Sequence, residues 1–289
     1  MLYAAIEGGG TKFLCAVFDA ARRVVAEMQV ATGTPEETLG ACARFFLPWR
    51  EEIAAVGIAS FGPLEPRAEN PRYGRILATP KPGWSGTDLR APLRAAGFEV
   101  PIVVDTDVNG AVLAEWMWGA GQGCEDIVYF TVGTGVGGGA LVNGRLVHGS
   151  RHSEMGHMRV ERAAADVDFA GTCPFHGACL EGLASGPAVL ARWGRPGHEL
   201  PPEHPAWDLE AEYLAQMLQN TLAVLSPERM VLGGGVCSHP GLLEKTREAL
   251  RRKLGGYWPE FDAESQVLAS GLDGRAGLLG ALALAMGAD

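Results

Sequence analysis

Three groups of residues have types and spacings suited to chemistry. The first is a set of glycine clusters: Gly8-Gly9-Gly10 followed by Thr11 and Lys12, Gly133 through Gly139 with Thr134 inside, and Gly233-Gly234-Gly235. Glycine lets backbone N–H groups close around phosphate oxygens and supplies the positive φ such nests require. One cluster alone reads as a tight turn, but each of these three follows an apolar run. The second group is acidic. Asp105 and Asp107, with Asn109, close the run "IVV" at 102–104. A carboxylate at the carboxyl end of a buried strand faces the crevice where ligands of open α/β sheets bind. Phosphorylating an alcohol needs such a group to orient the hydroxyl and take its proton during in-line attack. Asp107 is the expected base and Asp105, two residues deeper, a structural partner; the plainer alternative is an Asx turn capping the next helix. The third group is Cys173, His176 and Cys179 at three-residue spacing, with His157 upstream. Two thiolates and two imidazoles make a closed tetrahedral Zn²⁺ site, for which His152 competes as fourth ligand. Glu154 and Glu181 flank these donors, and carboxylates on a rigid frame suit a polyhydroxy substrate.

The elements that must hold these groups follow from periodicity. "LYAAI", "FLCAVFD" and "RVVAEMQVAT" read as three strands, with a glycine turn after the first and "DAARR" after the second. A helix at about 36–46 and a buried strand ending at Gly62-Pro63 come next. The proline-rich stretch 64–100 reads as a flap. "IVVDTD" is another strand, running into a helix at "NGAVLAEWMWG". At 127 the layout restarts: strand "DIVYFTV", glycine turn, and "ALVNGRLV" as two strands around an Asn143-Gly144 turn. Positions 133–138 match G-x-G-x-x-G, but a dinucleotide site needs a helix after it, and a hairpin follows here. The P-loop is excluded because the chain has no Gly-Lys pair. What remains is phosphate held by hairpin turns of two similar α/β domains. Farther on, a helix is expected over 208–225 with Asp208 as N-cap, then the strand "RMVLGGGV", a basic amphipathic helix and a small-residue C-terminal helix.

Composition narrows the partners. With 289 residues, a two-domain chain is expected. The formal net charge of -10 argues against nucleic acid, whose phosphates need a basic face. No apolar run is long enough for a bilayer, and the N-terminus lacks a signal-peptide pattern, so a cytoplasmic protein without a membrane partner is expected. The 40 glycines are about twice the usual share of roughly 7%. Lysine is rare, at positions 12, 81, 245 and 253 only, so Lys12 inside a glycine motif stands out.

These motifs resemble those of bacterial sugar kinases of the ROK family (repressor, open reading frame, kinase), and among them the fructokinases. "IEGGGTKFLCAV" resembles the first phosphate motif, "TVGTGVGGGALVNG" the second, and "GGGV" the adenosine motif. "SEMGHM" with "CPFHGACLEGLASGPA" resembles the family's substrate and zinc signature, and "TPKPGW" points to the fructokinase branch. The resemblance implies two ribonuclease-H-like domains of the sugar kinase, actin and Hsp70 type with a cleft between them. Their expected spans are 1–110, with a C-terminal helix 276–289 packing back on it, and 111–275. It implies Asp107 as base and Asn109, Glu154, His157 and Glu181 as hexose contacts. ATP would lie against Gly9, Gly10, Thr11, Lys12, Gly133, Thr134, Gly135, Gly233, Gly234 and Gly235. Zinc would lie on His157, Cys173, His176 and Cys179, and Mg²⁺ would be oriented through water by Glu7, where many relatives carry aspartate. The implied reaction is phosphorylation of a hexose 6-hydroxyl, fructose first, by a homodimer. Other ROK kinases act on glucose, mannose or N-acyl amino sugars, and repressors of the family carry a DNA-binding segment ahead of the first motif; here that motif begins at residue 7. A non-catalytic sugar sensor is the remaining alternative.

Overall fold

The computed structural model describes residues 1–287 and divides into two compact units. The first comprises Met1–Trp118, Leu146–Ser153 and the segment from Arg275. Its strands are β1 (Leu2–Gly8), β2 (Lys12–Asp19), β3 (Val24–Ala31), β4 (Ile53–Ser60) and β5 (Ile102–Thr106). Its helices are α1 (Pro35–Phe46), α2 (Ala91–Ala95) and α3 (Asp107–Trp118). The second unit comprises Gly119–Arg145 and Glu154–Gly274. It holds β6 (Ile127–Val132), β7 (Val136–Val142), β9 (Arg229–Gly233) and β10 (Val267–Ala269), while the two-residue β8 (Arg145–Leu146) sits at the boundary. Helices α4 (Leu180–Ala184), α5 (Gly186–Trp193), α6 (Ala206–Leu225), α7 (Leu242–Leu254) and α8 (Ala263–Gln266) follow, and α9 (Ala276–Met286) returns to the first unit.

The sheet orders explain the restart at 127. One sheet runs β3-β2-β1-β4-β5 and the other β8-β7-β6-β9-β10. In each, a three-strand meander is extended by two parallel strands, with β1 and β6 in the same place. The hairpin expected after Gly133 is present, since β6 and β7 pair antiparallel from Ile127↔Leu141 to Val132↔Val136. Asn143 and Gly144 both have positive φ (53° and 66°), the geometry of a type I′ turn.

Alternation along β1 sends Ala4 and Ile6 to one face and Tyr3 and Ala5 to the other. The first face is covered by α1 and by the proline-rich stretch. Trp84 from that stretch is fully buried, stacks on Phe13 at 5.4 Å and donates its indole N–H to Gly33 O at 3.1 Å. Helix α1 starts at a capping box in which the Thr34 hydroxyl accepts from Glu37 N and the Glu37 carboxylate accepts from Thr34 N. The second face packs on α9.

Close backbone approach decides this packing. A Cβ on Gly57 of β4 would lie 1.8 Å from Ala281 O, and one on Gly280 would lie 2.3 Å from the Gly110 carbonyl carbon. The Gly110–Gly280 approach keeps α3 whole against α9, so the first unit runs to Trp118 where the sequence suggested a boundary near 110. Gly57→Ala is expected to cost at least about 1–3 kcal/mol, the usual range for overpacking. Thermal unfolding would register it as a lowered midpoint.

Two local expectations change. Helix α6 begins at Ala206, with Pro205 at the N-cap, so Asp208 sits in its first turn, where its charge favours the helix dipole, and does not cap it. The C-terminal helix expected over 276–289 spans Ala276–Met286; residues 288 and 289 lie outside the described residues.

Candidate active site and metal centre

In the first unit, β5 ends at Thr106 and α3 starts at Asp107 without a loop. That junction fixes two carboxylates with different surroundings. Asp105 is 3% exposed. Its Oδ1 accepts from Thr106 N at 2.7 Å and Asn109 Nδ2 at 3.0 Å, and its Oδ2 lies 2.7 Å from His148 Nε2. Asp107 is half-buried, and its Oδ1 accepts from Val108 N at 2.9 Å. Asp105 is therefore committed to internal partners, as expected of a structural residue, while Asp107 keeps solvent access.

Glu7 from β1 shares this region. Its carboxyl is pushed up first by burial and next by the charge of Asp107, while Lys12 and Arg275 pull it down. Two carboxylates that raise one another's cost of ionisation are a fitting place for a divalent cation. The turn between β1 and β2 is tied by Gly9 N donating to Lys12 O at 2.9 Å, and the Lys81 ammonium donates to Gly10 O. Thr11 and Lys12 are exposed, and Lys12 Nζ reaches Gln29 Oε1 at 3.3 Å.

In the second unit, Gly133-Thr134-Gly135 closes on itself, with Gly133 N donating to Gly135 O at 2.9 Å. The N-terminus of α5 abuts this turn through Gly186 N, which donates to Gly133 O at 2.7 Å. A helix N-terminus beside a glycine turn is a favourable seat for phosphate. Gly234 has φ 89°, and a Cβ there would meet Val132 O at 2.4 Å, so β9 can end beside β6 only with glycine. A cavity of about 1130 Å³ opens beside Gly133, Thr134 and Gly235, walled by Leu190, Val236 and the stacked pair Trp207 and His239, whose rings lie 3.6 Å apart. Its size and apolar walls suit a nucleoside.

The same unit holds a candidate metal centre. The donor atoms of His157, Cys173, His176 and Cys179 all fall within 4.8 Å of one another. His157 Nδ1 is 3.5 Å from Cys179 Sγ and 3.9 Å from Cys173 Sγ, and Cys173 Sγ is 3.7 Å from His176 Nδ1. Tetrahedral zinc with Zn–S near 2.3 Å and Zn–N near 2.0 Å requires S···N separations of about 3.5 Å. The donors fit such an ion. His152 lies outside the set: it belongs to the first unit, where its Nδ1 is 3.2 Å from Ser153 O and its ring packs on Gly62. Glu181, two residues after Cys179, links these donors to the turn at Gly133–Gly135. Its Oε2 accepts from Val136 N at 3.1 Å, and its Oε1 lies 4.0 Å from His157 Nδ1. A Cβ on Gly135 would stand 2.7 Å from Oε2, so a larger residue there would displace the Glu181 carboxylate. Glu154 is exposed at the start of the short turn that carries His157.

The structure thus groups Glu7, Lys12, Asp107 and Asn109 in one unit, and His157, Glu181, the thiols and two glycine turns in the other. His148 escaped the sequence reading, since an isolated histidine gives no signal, and Lys81 was marked only by the rarity of lysine. Among the described residues no helix is long and apolar enough to cross a membrane.

The model of the ROK family matches residues 3–288. The chain is 46% identical over 294 residues to the fructokinase of Zymomonas mobilis subsp. mobilis, covering 100% of this chain and 97% of that one. It is 38% identical to the fructokinase of Pediococcus pentosaceus, covering 100% and 99%. A ROK family glucokinase from Streptomyces griseus, solved with glucose and AMPPNP, superposes with a TM-score of 0.78 at 28% identity, covering 99% of this chain and 100% of that one.

Proposed function

The chain belongs to the ROK family, and on that premise we propose that it is an ATP-dependent fructokinase making fructose 6-phosphate and ADP. The observation that carries the sugar assignment is the 46% identity to a fructokinase across the whole chain. In this reading Asp107 takes the proton of the 6-hydroxyl as its oxygen bonds the γ-phosphorus and the bond to the β–γ bridging oxygen breaks. The turns at Gly9-Gly10 and Gly133-Thr134-Gly135, with Thr11 and Lys12, border the phosphates, and Gly233, Gly234 and Gly235 border the adenosine. Mg²⁺ supplies neutralising charge at the phosphates when bound, and Glu7 would orient it through water. His157, Cys173, His176 and Cys179 would hold zinc as a structural ion. With Nδ1 turned to that ion, the proton of the His157 ring resides on Nε2, which becomes a donor for a sugar hydroxyl. Asn109, Glu154 and Glu181 supply further sugar contacts; Glu181 fits because it is already fixed by Val136 N. A homodimer and a cytoplasmic location rest on the family resemblance.

ADP release measured across fructose, mannose, glucose and N-acetylated amino sugars tests this reading. Fructose is expected to have the highest kcat/KM. A preference for glucose overturns the sugar assignment, and absence of any sugar-dependent ADP release overturns the kinase.

A further inference from the structure

Asp105 and Asn109 are buried and His148 is half-buried against them; of the three, the proposed function uses only Asn109. His148 lies in Leu146–Ser153, the segment by which the chain re-enters the first unit before Glu154. Its Nε2 is 2.7 Å from Asp105 Oδ2 and 3.2 Å from Asn109 Nδ2. A carboxylate only accepts, so at 2.7 Å Nε2 must carry the proton and donate. The amide nitrogen of Asn109, also a donor, bonds Asp105 Oδ1. Two donors therefore converge on one carboxylate, and the flip state of the Asn109 carboxamide follows: nitrogen toward Asp105, and Oδ1 on the opposite side as an acceptor. Asn109 is only 2% exposed, so its carboxamide has little room to turn.

We propose that His148 is a positioning residue that, through Asp105, fixes Asn109 as a hydrogen-bond acceptor for a donating hydroxyl of the sugar. The inference rests on the reading of Asn109 as a sugar contact. Without the imidazole, Asp105 Oδ2 loses its donor in a buried setting and the carboxamide loses its rigid anchor. The groups acting on His148 are Asp105 from β5, Glu69 from the proline-rich stretch and His152 from its own segment. The hydrogen bond to Asp105 is the largest influence and raises the imidazole above its ordinary value; burial and His152 oppose it, and Glu69 assists. A raised histidine contributes its charged pairing fully below the ordinary value of about 6.5 and loses it as pH climbs through the raised value. Deprotonation then weakens the donor and admits the Nδ1–H tautomer, which cannot bond Asp105.

The test compares His148→Leu, His148→Gln and Asn109→Ala in the full-length protein. Leucine removes the donor; glutamine keeps an amide donor that does not titrate. H148L is expected to raise the KM for fructose by roughly tenfold, as for loss of a buried charged hydrogen bond, with kcat and the KM for ATP little changed. H148Q is expected to restore the fructose KM at neutral pH and to flatten the rise in KM that the native protein shows at higher pH. An unchanged KM in H148L, a loss in H148Q as large as in H148L, or the native pH dependence persisting in H148Q each overturns the proposal. If H148L does not fold, the pH profile of H148Q decides alone. An unchanged fructose KM in N109A instead overturns the sugar-contact reading itself.

Discussion

Asp107→Asn is expected to fold and bind fructose with near-native affinity while kcat falls by about 10²–10⁴-fold, the range for loss of a general base. The substitution keeps the shape of the side chain, so the strand–helix junction from Thr106 to Val108 should persist, with the amide oxygen still accepting from Val108 N. What disappears is the charge that receives the hydroxyl proton. The neighbouring Asp105 cannot substitute, because both its oxygens are bonded and it is 3% exposed. A second consequence separates a catalytic from a structural role. Asp107 is one of the groups that push the Glu7 carboxyl up, so in the variant Glu7 should titrate lower. Steady-state kinetics with fructose binding by calorimetry checks the first part; activity within a few-fold of native would refute Asp107 as base.

Removal of the metal is the other large effect. The purified protein is expected to carry one zinc per chain by elemental analysis, and Cys179→Ser or prolonged chelation should abolish that zinc and nearly all activity. Structural zinc in small domains contributes on the order of 10 kcal/mol of binding free energy, which is also folding free energy. Here the ion would join His157, on one segment, to Cys173, His176 and Cys179 on another. Without it the two thiols, both buried, face each other and two imidazoles, and the segment is left to backbone hydrogen bonds such as Gly177 N donating to Cys173 O at 2.9 Å and Leu180 N donating to Met158 O at 3.0 Å. Glu181 lies in the first turn of α4 beside Cys179 and also anchors the Gly133–Gly135 turn through Val136 N, so the loss should reach the proposed phosphate turn as well as the proposed sugar contacts. The fructose KM should therefore rise in partly depleted protein before the global unfolding midpoint falls. Full activity at zero zinc content would refute the structural ion.

Much of this site was legible in the chain because short-range chemistry specifies it. The strand–glycine turn–strand units at Glu7–Lys12 and Val132–Val136 are local, as is the Cys-His-Cys spacing. Separating Asp105 from Asp107 was also possible, since two residues along a strand change the depth of a side chain. Other features were not legible for a physical reason. His148 stands 43 residues from Asp105 and is defined only by the chain's return through Leu146–Ser153. The proline-rich stretch shows turn chemistry, but its burial of Trp84 against Phe13 depends on a pairing across 71 residues, for which no periodic signal exists.

By itself, then, the sequence determined the two similar α/β halves, the three glycine turns and the Cys-His-Cys spacing, because periodicity, turn chemistry and ligand geometry act over a few residues. Only the tertiary structure decided that His152 is outside the candidate metal-ligand cluster, that α3 remains with the first unit, and that Asp105 is locked between Asn109 and His148. Those outcomes depend on which backbones can approach closely, as Gly57, Gly110 and Gly280 permit, and on which polar groups share one buried carboxylate. Both are properties of distant segments packed together, fixed by excluded volume and hydrogen-bond satisfaction.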